Sequence, residues 1–140
     1  MPESAVELLR KVPLFSQFGD RKLRALLKTA KEREFSPGEP IVREGDASNV
    51  GFYLILEGQV EVKRGDNVLS RLGAGQFFGE MAVLDGAPRS ADVVAAAPTR
   101  CLALTSWDFK ALVDTYPDIA MGVIAELARR LRETSAALTD

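Results

Sequence analysis

Apolar residues near the start of the chain recur at helical spacing. Leucine and alanine residues three or four positions apart predict helices over residues 3–9 and 20–30, with Pro13 between them. Ser4 and Asp20 are suitable N-caps, because their side-chain oxygens can accept hydrogen bonds from the free amides of a first helical turn. We therefore predict two short helices before the pattern changes.

Over residues 31–105, glycine, proline, aspartate and asparagine separate short runs of β-forming residues. The runs are residues 40–43, 51–57, 59–63, 68–72, 91–96 and 100–105. Four apolar residues alternate with polar ones, as in strands with one face in solvent: Val60, Val62, Val68 and Leu72. Strands at this spacing predict an antiparallel β jelly-roll barrel, and Arg64-Gly65-Asp66 is interpreted as a hairpin turn rather than an adhesion motif.

The last third of the chain returns to helical spacing. Ser106 is predicted to cap a helix that ends near Tyr116, and Pro117 suits the first turn of a second helix over residues 118–138. Along this second helix one stripe has the spacing of a heptad seam: Ala120, Ile124, Leu127, Leu131, Thr134 and Leu138. The spacing favours pairing of this helix between two chains, and the alternative is a stripe that packs on the chain's own barrel.

These elements define one domain of the α+β class. The chain has 140 residues, enough for one core. We expect a single domain over residues 1–140, with helices in 3–30, an antiparallel β jelly-roll barrel (double-stranded β-helix) in 31–105, and C-terminal helices in 106–138. No apolar run approaches the roughly 20 residues of a membrane span, and no signal peptide is visible, so a cytoplasmic location is expected.

Composition excludes several classes of function. The net charge of −2 provides no global positive field for nucleic acid. Histidine is absent, which removes imidazole metal sites and histidine-dependent catalysis and counts against a jelly-roll metalloenzyme. Cys101 is the single cysteine, and its strand-like surroundings predict a buried, inert thiol. We expect a protein that is not an enzyme and binds no metal.

Candidate ligand chemistry is concentrated in residues 78–94. Arg89 provides a permanent, two-pronged cation for a phosphate, and Ser90 can add a hydrogen bond. Gly79 allows the backbone to approach a ligand. The carboxylate of Glu80 would be electrostatically unfavourable beside a bound phosphate unless it binds another group, for example by accepting hydrogen bonds from a ribose hydroxyl. The segment predicts a pocket for a phosphorylated small molecule, and the spacing leaves open a surface salt bridge between Glu80 and Arg89.

The same segment resembles the phosphate-binding cassette of cyclic-nucleotide-binding domains. Residues 78–84 followed by 88–91 carry the resemblance, and three other stretches extend it over almost the whole chain: residues 12–15, 45–46 and 52–62. The final helix is similar to that of the catabolite-activator (CRP/FNR-like) branch of the family. The cassette is then expected over residues 78–94.

The resemblance implies a set of ligand-binding residues: Gly79, Glu80, Met81, Ala82, Arg89, Ser90, Ala91, Leu69, Arg130, Thr134 and Ser135. It implies that Glu80 accepts from the ribose 2′-hydroxyl and that Arg89, assisted by Ser90, pairs with the cyclic phosphate. Thr134 and Ser135 match residues that contact the purine, one from each subunit of a dimer. For Arg130, a solvated helix residue is the alternative to a position on the base side of the pocket.

The expected function is a cyclic-nucleotide sensor or regulatory module. The ligand is expected to be cAMP in preference to cGMP, with no cofactor, and its binding is expected to reposition the C-terminal helix of a homodimer paired through residues 118–138. No contact with DNA and no membrane segment is expected. The alternatives are a ligand-free scaffold with the same fold, or the regulatory fragment of a transcription factor without its DNA-binding domain.

Overall fold

Two antiparallel sheets between terminal helices make up the structure. A computed structural model describes residues 4–16, 18–43, 50–79 and 91–139. The elements in chain order are α1 (Ala5–Arg10), a 3₁₀ turn (Pro13–Phe15), α2 (Asp20–Thr29), β1 (Lys31–Phe35), β2 (Pro40–Val42), β3 (Val50–Glu57), β4 (Gln59–Arg64), β5 (Asn67–Gly73), β6 (Phe77–Phe78), β7 (Asp92–Ala95), β8 (Thr99–Thr105), α3 (Ser106–Thr115) and α4 (Pro117–Thr139).

The strand order is that of a jelly roll. One sheet has the order β1-β8-β3-β6 and the other β2-β7-β4-β5, and the pairs are antiparallel. Arg64 pairs with Asn67, so the predicted hairpin between β4 and β5 is confirmed. The antiparallel jelly-roll prediction is confirmed with it, since each sheet alternates strands from distant parts of the chain.

The first sheet is covered on both faces. Phe52 and Leu54 of β3 point into a core shared with the helices, where Phe15 and Phe109 are also buried. The alternate residues of β3, including Tyr53 and Ile55, point into the second core between the sheets: its other members include Val42, Val60, Phe78, Val93 and Cys101. This double burial explains why β3 is a continuous apolar run rather than an alternating one.

Cys101 lies in the core between the sheets, as predicted. Its side chain is fully buried, and burial raises the pKa of the thiol to about 12. The thiolate is the reactive form of cysteine, so the folded protein keeps Cys101 inert over the physiological pH range.

Two of the three predicted N-caps differ from those in the structure. Ser4 is the N-cap of α1, and its hydroxyl accepts from the Glu7 amide at 3.3 Å. Asp20 is wrong as an N-cap: Gly19 holds that position, and the Asp20 carboxylate pairs with Arg10 of α1 instead. Thr105 takes the cap position predicted for its neighbour Ser106 and accepts from the Asp108 amide.

Two strands have no counterpart among the predicted runs. β1 is charged and mostly exposed, so it lacks apolar alternation, and its pairing with β8 holds it in the sheet. β6 has only two residues. Val68 was predicted on the covered face and is 39% exposed. The register of β4 shifts between Val62 and Lys63, so Val68 pairs with Lys63 and turns outward.

Helix α4 divides its apolar residues between two faces. Ile119 and Val123 are buried in the core that the helices share with the first sheet, and Leu127 packs on the same core. Ile124 and Leu131 are exposed, as is Met121 outside the predicted seam. The heptad stripe is thus partly used within the chain. No helix in the described ranges combines the length and apolar character needed to cross a membrane.

Candidate functional site

Strand β6 leads directly into the predicted cassette. Its two residues pair with Leu54 and Tyr53 of β3, and the rings of Phe78 and Tyr53 stack at 5.0 Å. The next residue, Gly79, has φ of 91°, a conformation that favours glycine because other residues clash there. The glycine predicted at the cassette entrance is therefore required by its backbone conformation.

The second sheet brings Ala91 and Leu69 to one end. Asp92 at the start of β7 pairs with Lys63, which in turn pairs with Val68 of β5. Ala91 is buried and Leu69 is 52% exposed. These two predicted ligand-binding residues therefore sit at the same edge of the barrel, one at the end of the cassette and one two strands away.

Arg130 joins helix α4 to the entrance of the cassette. One of its terminal nitrogens donates to the carbonyl oxygen of Phe77 at 2.6 Å, and its guanidinium carbon lies 4.8 Å from the centre of the Phe77 ring. The side chain is 24% exposed, so Arg130 is partly buried against the barrel, and its position on the base side of the pocket stays a prediction. Phe77 is two residues before Gly79 in the sequence, so Arg130 contacts the chain just before the cassette.

Glu126 organises the charges on this part of α4. Its carboxylate accepts from Arg129 at 2.5 Å and lies 3.8 Å from Arg130. The hydrogen bond from Arg129, with the nearby positive charges, lowers the pKa of Glu126 despite its partial burial. Arg129 also reaches Glu133 at 2.5 Å. The carboxylate therefore stays charged and helps to orient both arginines.

Several predicted site residues fall outside the described ranges: Glu80, Met81, Ala82, Arg89 and Ser90. The turn at residues 45–46 does as well. Thr134 and Ser135 lie in α4, but only the helical backbone is described there. The roles of these residues stay predictions.

Two residues near the site were missed by the sequence interpretation. Phe77 supplies a carbonyl and a ring to Arg130, and nothing in the sequence signals a backbone contact of this kind. Glu126 could have been found, because a glutamate three and four positions before two arginines is a helical ion-pair pattern. Among the described residues, no three cysteine or acidic side chains cluster as a potential metal site.

The structure is a jelly roll with a positive-φ glycine directly after β6 and a C-terminal helix hydrogen-bonded to β6 through Arg130. This arrangement is typical of a regulatory ligand-binding domain. A sequence model described as the cyclic nucleotide-binding domain matches residues 32–116. The chain therefore belongs to the cyclic nucleotide-binding domain family.

Individual relatives agree with this membership. The chain is 40% identical over 114 residues to a cyclic nucleotide-gated potassium channel of Rhizobium etli, a match that covers 81% of this chain and 32% of the channel. It is 37% identical over 131 residues to the cyclic AMP receptor protein of Thermus thermophilus, covering 90% of this chain and 60% of the relative. The chain thus spans about one third and three fifths of these relatives.

Solved structures show the same fold. The catabolite activator protein of Thermus thermophilus superposes with a TM-score of 0.76 at 36% identity, covering 90% of this chain and 61% of that one. The N-terminal domain of a transcriptional regulator from Streptomyces coelicolor A3(2) superposes with a TM-score of 0.66 at 30% identity, covering 95% of each chain.

Proposed function

We propose that the protein is a sensor module that binds cAMP in preference to cGMP, without catalytic turnover. The family match over residues 32–116 carries this proposal, because it spans the whole predicted cassette. The geometry at its entrance supports it, since Gly79 adopts a conformation suited to glycine. A relative named for cyclic AMP, 37% identical to this chain, supports the choice of ligand.

The cassette residues have complementary chemical tasks in this proposal. Arg89 pairs with the cyclic phosphate through two parallel hydrogen bonds, and Ser90 adds another. Glu80 accepts hydrogen bonds from the ribose 2′-hydroxyl. Backbone at Gly79 and Ala91, with Met81 and Ala82 between them, approaches the ligand closely. The glutamate and the arginine therefore recognise different groups of one nucleotide.

The purine side of the pocket is proposed to come from Leu69 and from helix α4. Thr134 and Ser135 supply hydroxyls that favour adenine, one from each chain of a dimer. Arg130 donates to the Phe77 carbonyl and lies over the Phe77 ring. Its contact with a purine would use the other face of the planar guanidinium or require exchange of the Phe77 hydrogen bond.

The proposed output is a movement of α4. Arg130 links this helix to β6, and β6 continues into Gly79 at the start of the cassette. A ligand that contacts both the cassette and α4 favours the arrangement in which both contacts are made. The exposed Ile124 and Leu131 give the helix an apolar surface for a second copy of the chain.

Calorimetric titration tests ligand and site together. Protein freed of nucleotide should bind cAMP with one site per chain and bind cGMP more weakly. Arg89→Ala should weaken cAMP binding by on the order of 2–5 kcal/mol, because a buried phosphate loses its charged partner. Arg33→Ala is the matched control, since Arg33 is an exposed residue of β1. Absence of binding heat, or equal losses in both variants, contradicts the proposal.

A regulatory role within a transcription factor is favoured among the possible contexts. The Streptomyces coelicolor regulator domain and this chain cover 95% of each other. We propose that the chain performs the ligand-sensing step of such a regulator. Transcript or promoter-binding assays on the gene's full product, with and without cAMP, distinguish this role from that of a ligand-free scaffold.

A further inference from the structure

A cavity whose lining includes none of the described residues predicted to bind the nucleotide lies beside the N-terminal helices. Its volume is about 740 Å³, and it is enclosed by residues of the 3₁₀ turn, the turn between β5 and β6, and the first half of α4. Leu69, Gly79, Ala91 and Arg130, the predicted nucleotide-binding residues that the structure describes with their side chains, do not line it. The size lies within the range of small-molecule sites.

The apolar floor of this cavity depends on small residues of α4. A Cβ atom on Gly122 would lie 2.5 Å from Cδ1 of Leu14, so glycine lets the Leu14 side chain pack directly on the helix backbone, and a larger residue would require that side chain to move. Ala125, one turn further along, also lines the cavity. Phe18 and Tyr116 continue the floor, with ring centres 4.9 Å apart. The cavity therefore offers an apolar, partly aromatic surface, with the two rings inclined at 58° to each other.

Lys22 places a positive charge on that aromatic surface. Its Nζ lies 5.6 Å from the centre of the Phe18 ring and 5.3 Å from that of Tyr116. Within the described part of the chain, Lys22 forms no ion pair. Aromatic rings stabilise a cation but leave its charge able to attract an anion.

The acidic residues of the cavity do not cancel this charge. Glu126 is bound by Arg129 at 2.5 Å. Asp118 lies in the first turn of α4, where the helix dipole offsets a negative charge. Lys11 also lines the cavity. The electrostatic balance of the cavity therefore favours an anionic ligand.

We propose that this cavity binds a small amphipathic carboxylate. The carboxylate pairs with Lys22, and a flat apolar body lies among Leu14, Phe18 and Tyr116. A dinucleotide or larger phosphate ligand fits less well, because the arginine that lines the cavity, Arg129, is paired with Glu126 and Glu133, and Lys22 is a point charge rather than a two-pronged donor. The proposal goes beyond cyclic-nucleotide recognition and does not depend on it.

Titration with 1-naphthoate tests the chemistry of the site, with the neutral amide of the same ring system as the charge control. The naphthoate should bind at one site per chain and the amide at least about tenfold more weakly, since it lacks the charge-assisted contact. Lys22→Gln should weaken naphthoate binding about tenfold. Lys28→Gln is the matched control, an exposed lysine of the same helix outside the cavity, and should change nothing.

Amide NMR locates the probe. Gly75 and Gly122 line the cavity, whereas Gly65 lies in the distant hairpin and Gly79 at the cassette. Naphthoate should shift the signals of Gly75 and Gly122 only, and Ala125→Phe, which fills the space, should remove both shifts. The proposal is overturned by the absence of saturable binding, by equal effects of the two lysine variants, or by shifts centred on Gly79.

Discussion

Adjacent arginines on α4 have different surroundings. Arg129 is 49% exposed and pairs with Glu126 and Glu133 along the helix surface. Arg130 is 24% exposed and contacts Phe77 of β6. A helix turns about 100° per residue, so neighbouring side chains face different surroundings. The sequence shows two similar cations, and only the docking of the helix decides which one joins it to the barrel.

Removing Arg130 should destabilise the protein more than removing a surface arginine. Arg130→Met keeps much of the apolar stem and loses the charge-assisted hydrogen bond to Phe77, at a cost of about 1.5–3 kcal/mol in the free energy of unfolding. Urea denaturation measures this change. Arg132→Met is the control, because Arg132 is exposed two residues further along. Equal stability of the two variants would show that the Phe77 contact contributes nothing.

Cys101 should resist thiol reagents as long as the protein is folded. Its usual pKa of 9.0 is raised by burial to about 12. The folded state thus holds the proton to higher pH than the unfolded state, and this stabilisation is complete below pH 9 and is lost as the pH rises toward about 12.

At pH 8, labelling of Cys101 by an aromatic disulfide should therefore follow the rate of global opening, and urea should accelerate it. Ser16→Cys, at an exposed position, provides a second thiol that should react at once. Rapid labelling of native protein at Cys101 would contradict the burial argument.

The connection between β3 and β4 is a single glycine. Gly58 has φ of 100°, and a Cβ atom there would lie 2.5 Å from the Pro98 carbonyl oxygen and 2.5 Å from Oγ1 of Thr99. Thr99 is buried, and its hydroxyl donates to the Ala97 carbonyl at 2.7 Å. This corner carries the chain from one sheet to the other, so its geometry affects both.

Gly58→Ala should be among the most damaging single methyl additions in the chain. A positive φ and a backbone clash together are expected to cost at least about 3 kcal/mol, measured by chemical or thermal denaturation. Gly73→Ala is the matched control, because its Cβ atom would meet nothing closer than 3.8 Å. That variant should lie within about 0.5 kcal/mol of the parent protein. Similar losses at the two positions would contradict the account of the corner.

At the scale of the whole molecule, α4 faces the barrel on one side and solvent on the other. Ile119 is fully buried in the core, whereas Met121, Ile124 and Leu131 are 62%, 55% and 67% exposed. Leu127 packs on the chain's own core. An exposed apolar stripe beside a buried one is the pattern expected of a helix that serves two interfaces.

Leu131→Glu should disrupt the proposed dimer. The substitution removes apolar area and introduces a charge within the exposed apolar stripe, at a cost on the order of 2 kcal/mol or more in association free energy. Sedimentation with and without cAMP measures the change. Arg132→Glu alters the charge at an exposed neighbouring position and should leave association nearly intact. If neither variant changes the sedimentation of an assembled parent protein, the stripe is not the interface.

Much of the fold could be predicted from local patterns. β3 was predicted because it is a long apolar run. The β4–β5 hairpin was predicted because glycine and aspartate stand in its turn. β1 was not found, because its charged residues are kept in the sheet by β8 rather than by their own pattern. Among the described site residues, Gly79 was predicted for close approach of the backbone to a ligand, and its positive φ emerged only from the structure. Arg130 was predicted without its contact to Phe77.

The sequence alone determined the helix–barrel–helix order, the hairpin turns, the single inert cysteine and membership of the cyclic nucleotide-binding family. These properties follow from spacing and residue type within a few positions of the chain. Tertiary structure alone decided that Arg130 binds the Phe77 carbonyl, that Val68 faces outward and that Lys22 stands over two rings beside a cavity. Each of these contacts depends on how segments distant in sequence pack together in the two sheets and the helices, and no single segment determines it.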